Sequence, residues 1–217
     1  MQNLNQLIDH TILKPDITIE DIRKLCIEAK EYNFYSVCVN PSYVSTAYQF
    51  LKNTKVRICT VIGFPLGATS NLSKVYETTV AISDGADEVD MVINIGFLKS
   101  GRIDLVEREI SAVRDNCNNT CLKVIIENCL LTDEEKILAC KIARECGADF
   151  VKTSTGFFDY GAKVEDIKIM KSAIGDSIGI KASGGIKTYE DAINMINAGA
   201  NRIGSSSSID IIKNKKN

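Results

Sequence analysis

The sequence predicts an α/β protein: a (β/α)8 TIM barrel formed as one domain over residues 1–217. Three observations predict it. Short apolar, β-type runs alternate with helix-length segments from end to end, the pattern of a parallel sheet with helical crossovers. Eight such strand–helix units can be counted. A six-residue unit of the form Gly-Ala-(Asp/Asn)-x-(Val/Ile)-x also recurs at three strand starts.

Taken in order, the strands are expected at residues 7–10, 35–39, 56–61, 87–92, 122–127, 149–153, 178–181 and 201–204, each followed by a stretch of helical pattern or length. Helix starts support these positions. Thr18 precedes Ile19-Glu20-Asp21, Thr132 precedes Asp133-Glu134-Glu135, and Thr188 precedes Tyr189-Glu190-Asp191. A threonine followed three residues later by an acid is a capping box, and acidic first turns complement the helix dipole. No Pro/Gly/Ser-rich linker or low-complexity block divides the chain.

The repeated unit fixes the register. Gly85-Ala86-Asp87-Glu88-Val89-Asp90, Gly147-Ala148-Asp149-Phe150-Val151-Lys152 and Gly199-Ala200-Asn201-Arg202-Ile203-Gly204 align without a gap. In each, a helix ends on a glycine expected to be left-handed and a strand begins at once. The alignment places Asp90, Lys152 and Gly204 at one height on the fourth, sixth and eighth strands. Alternate strands of such a barrel contribute to one interior layer, so Asp90 and Lys152 are expected to share a site. Glu88, Phe150 and Arg202 then point inward one layer lower, and Glu88 and Arg202 are expected to form an interior ion pair.

Composition removes several function classes. The 26 basic and 28 acidic residues are spread along the chain for a net charge of -2, which leaves no electrostatic footprint for nucleic acid or a membrane surface. The basic tail Lys213-Asn214-Lys215-Lys216 reads as a solvated end. Apolar runs are strand-length, and the start MQNLNQLIDH lacks a basic-then-apolar signal pattern, so the cytoplasm is the expected location. Eight cysteines with no C-x-x-C pair, beside a single histidine, argue against a zinc site or disulfide framework and read mostly as small buried hydrophobes.

Two lysines carry the chemical signal. Lys152 ends the apolar strand Phe150-Val151-Lys152 before Thr153-Ser154-Thr155-Gly156, and Lys181 ends Ile178-Gly179-Ile180-Lys181 before Ala182-Ser183-Gly184-Gly185. Neighbouring strands lie about 4.7–4.9 Å apart, so inward lysines at similar heights bring their ammonium groups close. Two cations about 4 Å apart at an effective dielectric of about 20 repel by about 4 kcal/mol, or roughly three pKa units. One member of the pair is therefore expected to be neutral at pH 7, the form that condenses with a carbonyl. Asp90 beside them can shuttle protons.

The last two loops suggest phosphate. Ser183-Gly184-Gly185 follows the seventh strand, and Gly204-Ser205-Ser206-Ser207 follows the eighth and opens a helix. Glycines let backbone N–H groups approach an anion, and serines add hydroxyl donors. This fold often binds phosphate in those loops. On the first strand, Asp9 is placed to orient the lysines, while His10 reads as a hydrogen-bonded structural residue and Lys14 as exposed or structural. Cys38 is either a packed thiol or one that points into the barrel. These features fit an imine-forming aldolase; they also fit a sugar-phosphate isomerase using acid–base chemistry, or a silent phosphate-sugar binder.

At the level of motifs the chain resembles the deoxyribose-phosphate aldolase family over nearly its whole length. IDHTILK at 8–14, VCVNP at 37–41, TVIGFPLG at 60–67, ADEVDMVIN at 86–94, KVIIEN at 123–128, VKTSTGF at 151–157, KASGGIKT at 181–188 and RIGSSS at 202–207 occur in the family's order. The resemblance implies that Lys152 forms the Schiff base, that Lys181 is its partner lysine and that Asp90 takes part in proton transfer. It matches Gly184, Gly185, Gly204, Ser206 and Ser207 to phosphate-loop positions, with Thr155 and Gly156 beside them. It implies reversible cleavage of 2-deoxy-D-ribose 5-phosphate to D-glyceraldehyde 3-phosphate and acetaldehyde, without metal or organic cofactor, in a homodimer or tetramer. Some longer members carry a lysine where this chain has Phe157 and end in a tyrosine, whereas this chain ends at Lys216-Asn217.

Overall fold

Strands β1 (Ile8–Ile12), β2 (Ser36–Val39), β3 (Arg57–Ile62), β4 (Glu88–Val92), β5 (Cys121–Ile125), β6 (Phe150–Lys152), β7 (Gly179–Ser183) and β8 (Arg202–Ser205) close into one parallel barrel in sequence order. Helices α1 (Ile19–Glu31), α2 (Val44–Leu51), α3 (Asn71–Ser83), α4 (Ile95–Lys99), α5 (Ile103–Asn116), α6 (Asp133–Glu145), α7 (Val164–Ile174), α8 (Tyr189–Ala198) and α9 (Ser208–Lys213) make the crossovers and the outer ring. These coordinates are a computed structural model that describes residues 3–117 and 119–214. The basic tail read from the sequence lies outside the described residues from Lys215 onward.

All eight strands fall where the sequence places them, with ends shifted by a residue or two for identifiable reasons. Strand β5 stops at Ile125 because Glu127 takes a left-handed conformation, φ 52°, that turns the chain out of the sheet. Strand β7 runs on to Ser183 because Ala182 and Ser183 pair with Ile203 and Gly204 of β8. The capping boxes at Thr18, Thr132 and Thr188 all form.

The repeated unit is a helix stop fused to a strand start. Gly85, Gly147 and Gly199 have φ of 107°, 79° and 122°, and the alanine after each donates its N–H back to Ala81, Ala143 and Met195 at 3.0 Å. Asp87, Asp149 and Asn201 then reach the preceding strand, their side-chain oxygens accepting from the N–H groups of Ile58, Leu122 and Ile180 at 2.8–2.9 Å. The acid or amide in the unit thus satisfies the N–H of the second residue of the neighbouring strand, which explains why that position is polar.

Alternation along each strand separates two interiors. Val37, Val39, Val89, Met91, Leu122, Val124, Val151, Ile180 and Ile203 pack outward with the helices in one continuous apolar core. Fully burying a side chain of this kind contributes about 1.5–3 kcal/mol, so this shell supplies most of the hydrophobic drive. The residues between them face the lumen, where Cys38, Cys59 and Val61 form a small separate cluster against Leu13 and Phe64. Barrel lumens are usually filled by branched apolar side chains. Here much of the filling is charged.

Candidate active site

Seven buried ionisable side chains meet inside the barrel. Lys152 Nζ donates to Asp90 Oδ2 at 2.9 Å, and Lys181 Nζ donates to the same oxygen at 2.7 Å. The other Asp90 oxygen, Oδ1, accepts from Lys123 Nζ at 2.8 Å. Lys123 also pairs with Glu88 at 2.6 Å, and Lys181 with Asp9 at 2.5 Å. Below them Arg202 bridges Asp9 at 2.8 Å and Glu88 at 3.1 Å, with its guanidinium 3.6 Å from the Tyr35 ring centroid. The Glu88–Arg202 pair expected from the repeat alignment is present.

The strand register explains the convergence. Lys152 and Lys181 are direct partners across β6 and β7, and Asp90 and Lys123 across β4 and β5. The ammonium groups of Lys152 and Lys181 meet on one carboxylate oxygen, so the lysine pair is real, but it is not a pair of bare cations. Burial disfavours charge on Lys181, yet Asp9 and Asp90 outweigh it and hold its pKa well above the ordinary lysine range. Burial likewise opposes charge on Asp90, and Lys123, Lys152 and Lys181 together hold that carboxyl well below the ordinary carboxylate range. Mutual repulsion of the two lysines therefore does not neutralise Lys181. Four cationic side chains nevertheless face three carboxylates, which leaves one positive charge in excess inside the barrel.

A cavity of about 370 Å³ opens above this cluster at the carboxyl ends of the strands. Lys152 and Lys181 line its floor; Thr155, Gly156, Phe157, Gly184, Gly185, Gly204, Ser206 and Ser207 line its wall and rim. Lys152, Lys181 and every phosphate-loop residue proposed from the sequence touch this space, whereas Asp90 and Asp9 lie beneath it, joined to it through the two lysines. Gly184 and Gly185 have φ of 83° and 78°, and among the described residues their N–H groups and that of Ser206 donate to no protein acceptor. Gly184 also has no room for a side chain, since a Cβ there would lie 2.8 Å from the Gly161 Cα. A larger groove of about 1030 Å³ by α3 is lined by Leu66, Leu72 and Tyr76 and includes neither interior lysine.

The first-strand residues divide as alternation requires. Asp9 points in and joins the cluster. His10 points out, where its Nε2 lies 3.0 Å from Glu28. Burial pushes the His10 pKa down despite that carboxylate. A depressed histidine costs stability as pH falls below its unfolded value near 6.5, because the unfolded chain takes up the proton first. Replacing His10 by glutamine is therefore expected to flatten the loss of urea stability between about pH 7 and 5, by up to about 1.4 kcal/mol per pH unit for one proton. An unchanged slope would assign that loss to other groups. Lys14 is exposed at the cavity edge, and Cys38 is fully buried in the lumen.

Sequence reasoning missed Lys123 and Cys59. The repeat that set the register exists only on even-numbered strands, so nothing fixed the facing of β5 or β3. The signal that finds Lys123 is its pairing with Asp90, since the two are register partners across β4 and β5. Glu127 was also missed: it is buried and accepts from the Thr155 N–H at 3.0 Å and from the Thr155 hydroxyl, tying down the loop that follows Lys152.

The family model of the DeoC/LacD family aldolases matches residues 4–214. The chain belongs to that family. Among its DeoC/LacD relatives, the deoxyribose-phosphate aldolase of Clostridium kluyveri is 57% identical over 215 residues, covering 99% of both chains. That of Clostridium botulinum strain Kyoto is 58% identical over 210 residues, 97% of this chain and 99% of the relative. The solved tetrameric deoxyribose phosphate aldolase of Aeropyrum pernix is 34% identical and superposes with a TM-score of 0.91, over 97% of this chain and 89% of that one. The TIM-barrel fold and an aldolase family membership follow from these matches. No helix among the described residues is long and apolar enough to cross a membrane.

Proposed function

We propose that the chain is a deoxyribose-phosphate aldolase in which Lys152 forms a Schiff base with the open-chain aldehyde of 2-deoxy-D-ribose 5-phosphate. The observation that carries this reading is the convergence of two lysine amines on a single Asp90 oxygen at the floor of a cavity rimmed by Gly184, Gly185, Ser206 and Ser207. The relatives at 57–58% identity bear the same name.

The geometry divides the roles. Lys181 contacts two carboxylates and is held as a cation, whereas Lys152 has one ion contact, to Asp90. Lys152, held by that single contact at the cavity floor, is the amine placed to meet the substrate carbonyl. Its nitrogen attacks C1, the carbinolamine loses water, and a protonated imine results. The C3 hydroxyl then loses its proton while the C2–C3 bond breaks, and that electron pair flows into the imine. D-glyceraldehyde 3-phosphate leaves; the enamine takes a proton at C2, and water releases acetaldehyde. Asp90 and Lys181 supply and accept the protons near C1, with the carboxylate kept ionised by the Lys123 and Lys181 ammonium groups.

Phosphate sits at the opposite end of the substrate, on the free N–H groups of Gly184, Gly185 and Ser206 and on the hydroxyls of Ser206 and Ser207. Borohydride added during turnover should leave one reduced adduct per chain, mapped by mass spectrometry to the peptide holding Lys152; a chain that turns over the sugar with no adduct would favour an acid–base isomerase. Replacing Ser206 and Ser207 together by alanine should raise KM for 2-deoxyribose 5-phosphate about tenfold or more, the scale of losing hydrogen bonds to a charged group, and leave cleavage of unphosphorylated 2-deoxyribose unchanged. Equal loss on both sugars would place phosphate elsewhere. Self-association is part of the same proposal, supported by the exposed Leu72, Tyr76 and Val80 along one face of α3 and by the tetrameric relative.

A further inference from the structure

The lumen holds one group of side chains that the aldol chemistry does not use. Cys38 and Cys59 are register partners on β2 and β3, both point into the barrel, and their thiols hydrogen-bond to each other. Cys59 Sγ also donates to Asp90 Oδ1 at 3.2 Å. The two sulfurs and an Asp90 oxygen all lie within 4.8 Å of one another. The remaining thiols are elsewhere: Cys26, Cys117 and Cys140 are in the outer apolar core, and Cys121, Cys129 and Cys146 are half-buried.

We propose that Cys38, Cys59 and Asp90 form an inhibitory site for a soft divalent cation of the zinc or cadmium type. Two thiolates and a carboxylate are a donor set such ions favour, and a zinc–sulfur bond of about 2.3 Å puts two tetrahedral sulfur ligands about 3.8 Å apart. That spacing falls inside the observed limit. Binding releases one proton from each thiol as its metal–sulfur bond forms, so the added charge of the ion is balanced. Lys123 Nζ, 3.4 Å from Cys59 Sγ, remains as a donor to the new thiolate. The ion enters from the mouth: the pair packs against Leu13, which lines the cavity, and against Phe64, whose ring meets Phe157 edge-on at 5.2 Å. Once there, it takes Asp90 Oδ1 and draws the carboxylate away from Lys152 and Lys181. The inhibition rests on the role proposed above for Asp90; the binding does not.

Cadmium titrated into the reduced full-length protein should bind with one equivalent that gives an ultraviolet sulfur-to-metal charge-transfer band, and X-ray absorption at the cadmium edge should count two sulfur neighbours for it. Aldolase activity should fall in step with that equivalent and return with a chelator. Cys38→Ala and Cys59→Ser should each lose the tight equivalent and need at least about tenfold more cadmium for half inhibition, while Cys129→Ala should change neither. Retention of the band in both lumen variants, or its loss in Cys129→Ala, overturns the proposal. Because the band is read without substrate, a failed binding experiment and a failed aldolase assay are separate results.

Discussion

Lys152→Ala is expected to lower 2-deoxyribose 5-phosphate cleavage by about 10⁴-fold or more, the scale of removing a covalent nucleophile, and to abolish borohydride trapping. It should do so without unfolding the protein. Lys152 contributes one of four cations facing three carboxylates, and its removal leaves Asp90 still paired to Lys123 at 2.8 Å and Lys181 at 2.7 Å. The urea midpoint should therefore move little, and the cluster becomes charge-balanced. A variant that is still trapped, with the adduct on Lys181, would falsify the assignment of roles and exchange the two lysines.

Asp90→Ala should have the opposite profile, losing stability as well as activity. Asp90 is fully buried and is the shared acceptor for Lys123, Lys152 and Lys181. Breaking a buried ion network by removing one partner costs about 3–5 kcal/mol, because the charges left behind stay out of water. The deficit has a definite pH sign. Without Asp90 the interior amines hold their protons less firmly in the folded state than in the unfolded chain, so the penalty should shrink as pH rises above 7 and the folded form sheds them. Urea unfolding of wild type and variant across that range measures it; a deficit that stays constant with pH would mean the loss comes from packing alone.

The fold was legible because its punctuation is chemical. Threonine–acid boxes start helices, a left-handed glycine stops them, and the Asp or Asn after Gly-Ala caps the neighbouring strand. The repeat placed Asp90, Lys152 and Arg202 correctly on the inner face with no tertiary information. What it could not do was orient the odd-numbered strands: Lys123 lies in Leu122-Lys123-Val124-Ile125-Ile126, where apolar residues on both faces hide the alternation. Charge was the second blind spot. A sequence shows that two lysines are near each other but not that Asp9 and Asp90 both reach Lys181, so repulsion alone overstated how easily that amine loses its proton. The short helix α4 and the left-handed Glu127 likewise depend on side-chain partners, Asn94 capping the first and the tethered Thr155 loop accompanying the second.

Gly204 shows how space is shared across the lumen. A methyl group there would stand 3.0 Å from Lys181 Cε and 3.1 Å from Ser183 Cβ, so the eighth strand contributes no side chain at the height where the seventh contributes a long one. Positions 181 and 204 are in this sense one volume divided between two residues. Libraries that randomise the substrate cavity should couple them, since bulk added at 204 is tolerated only where the side chain at 181 is shortened or re-aimed.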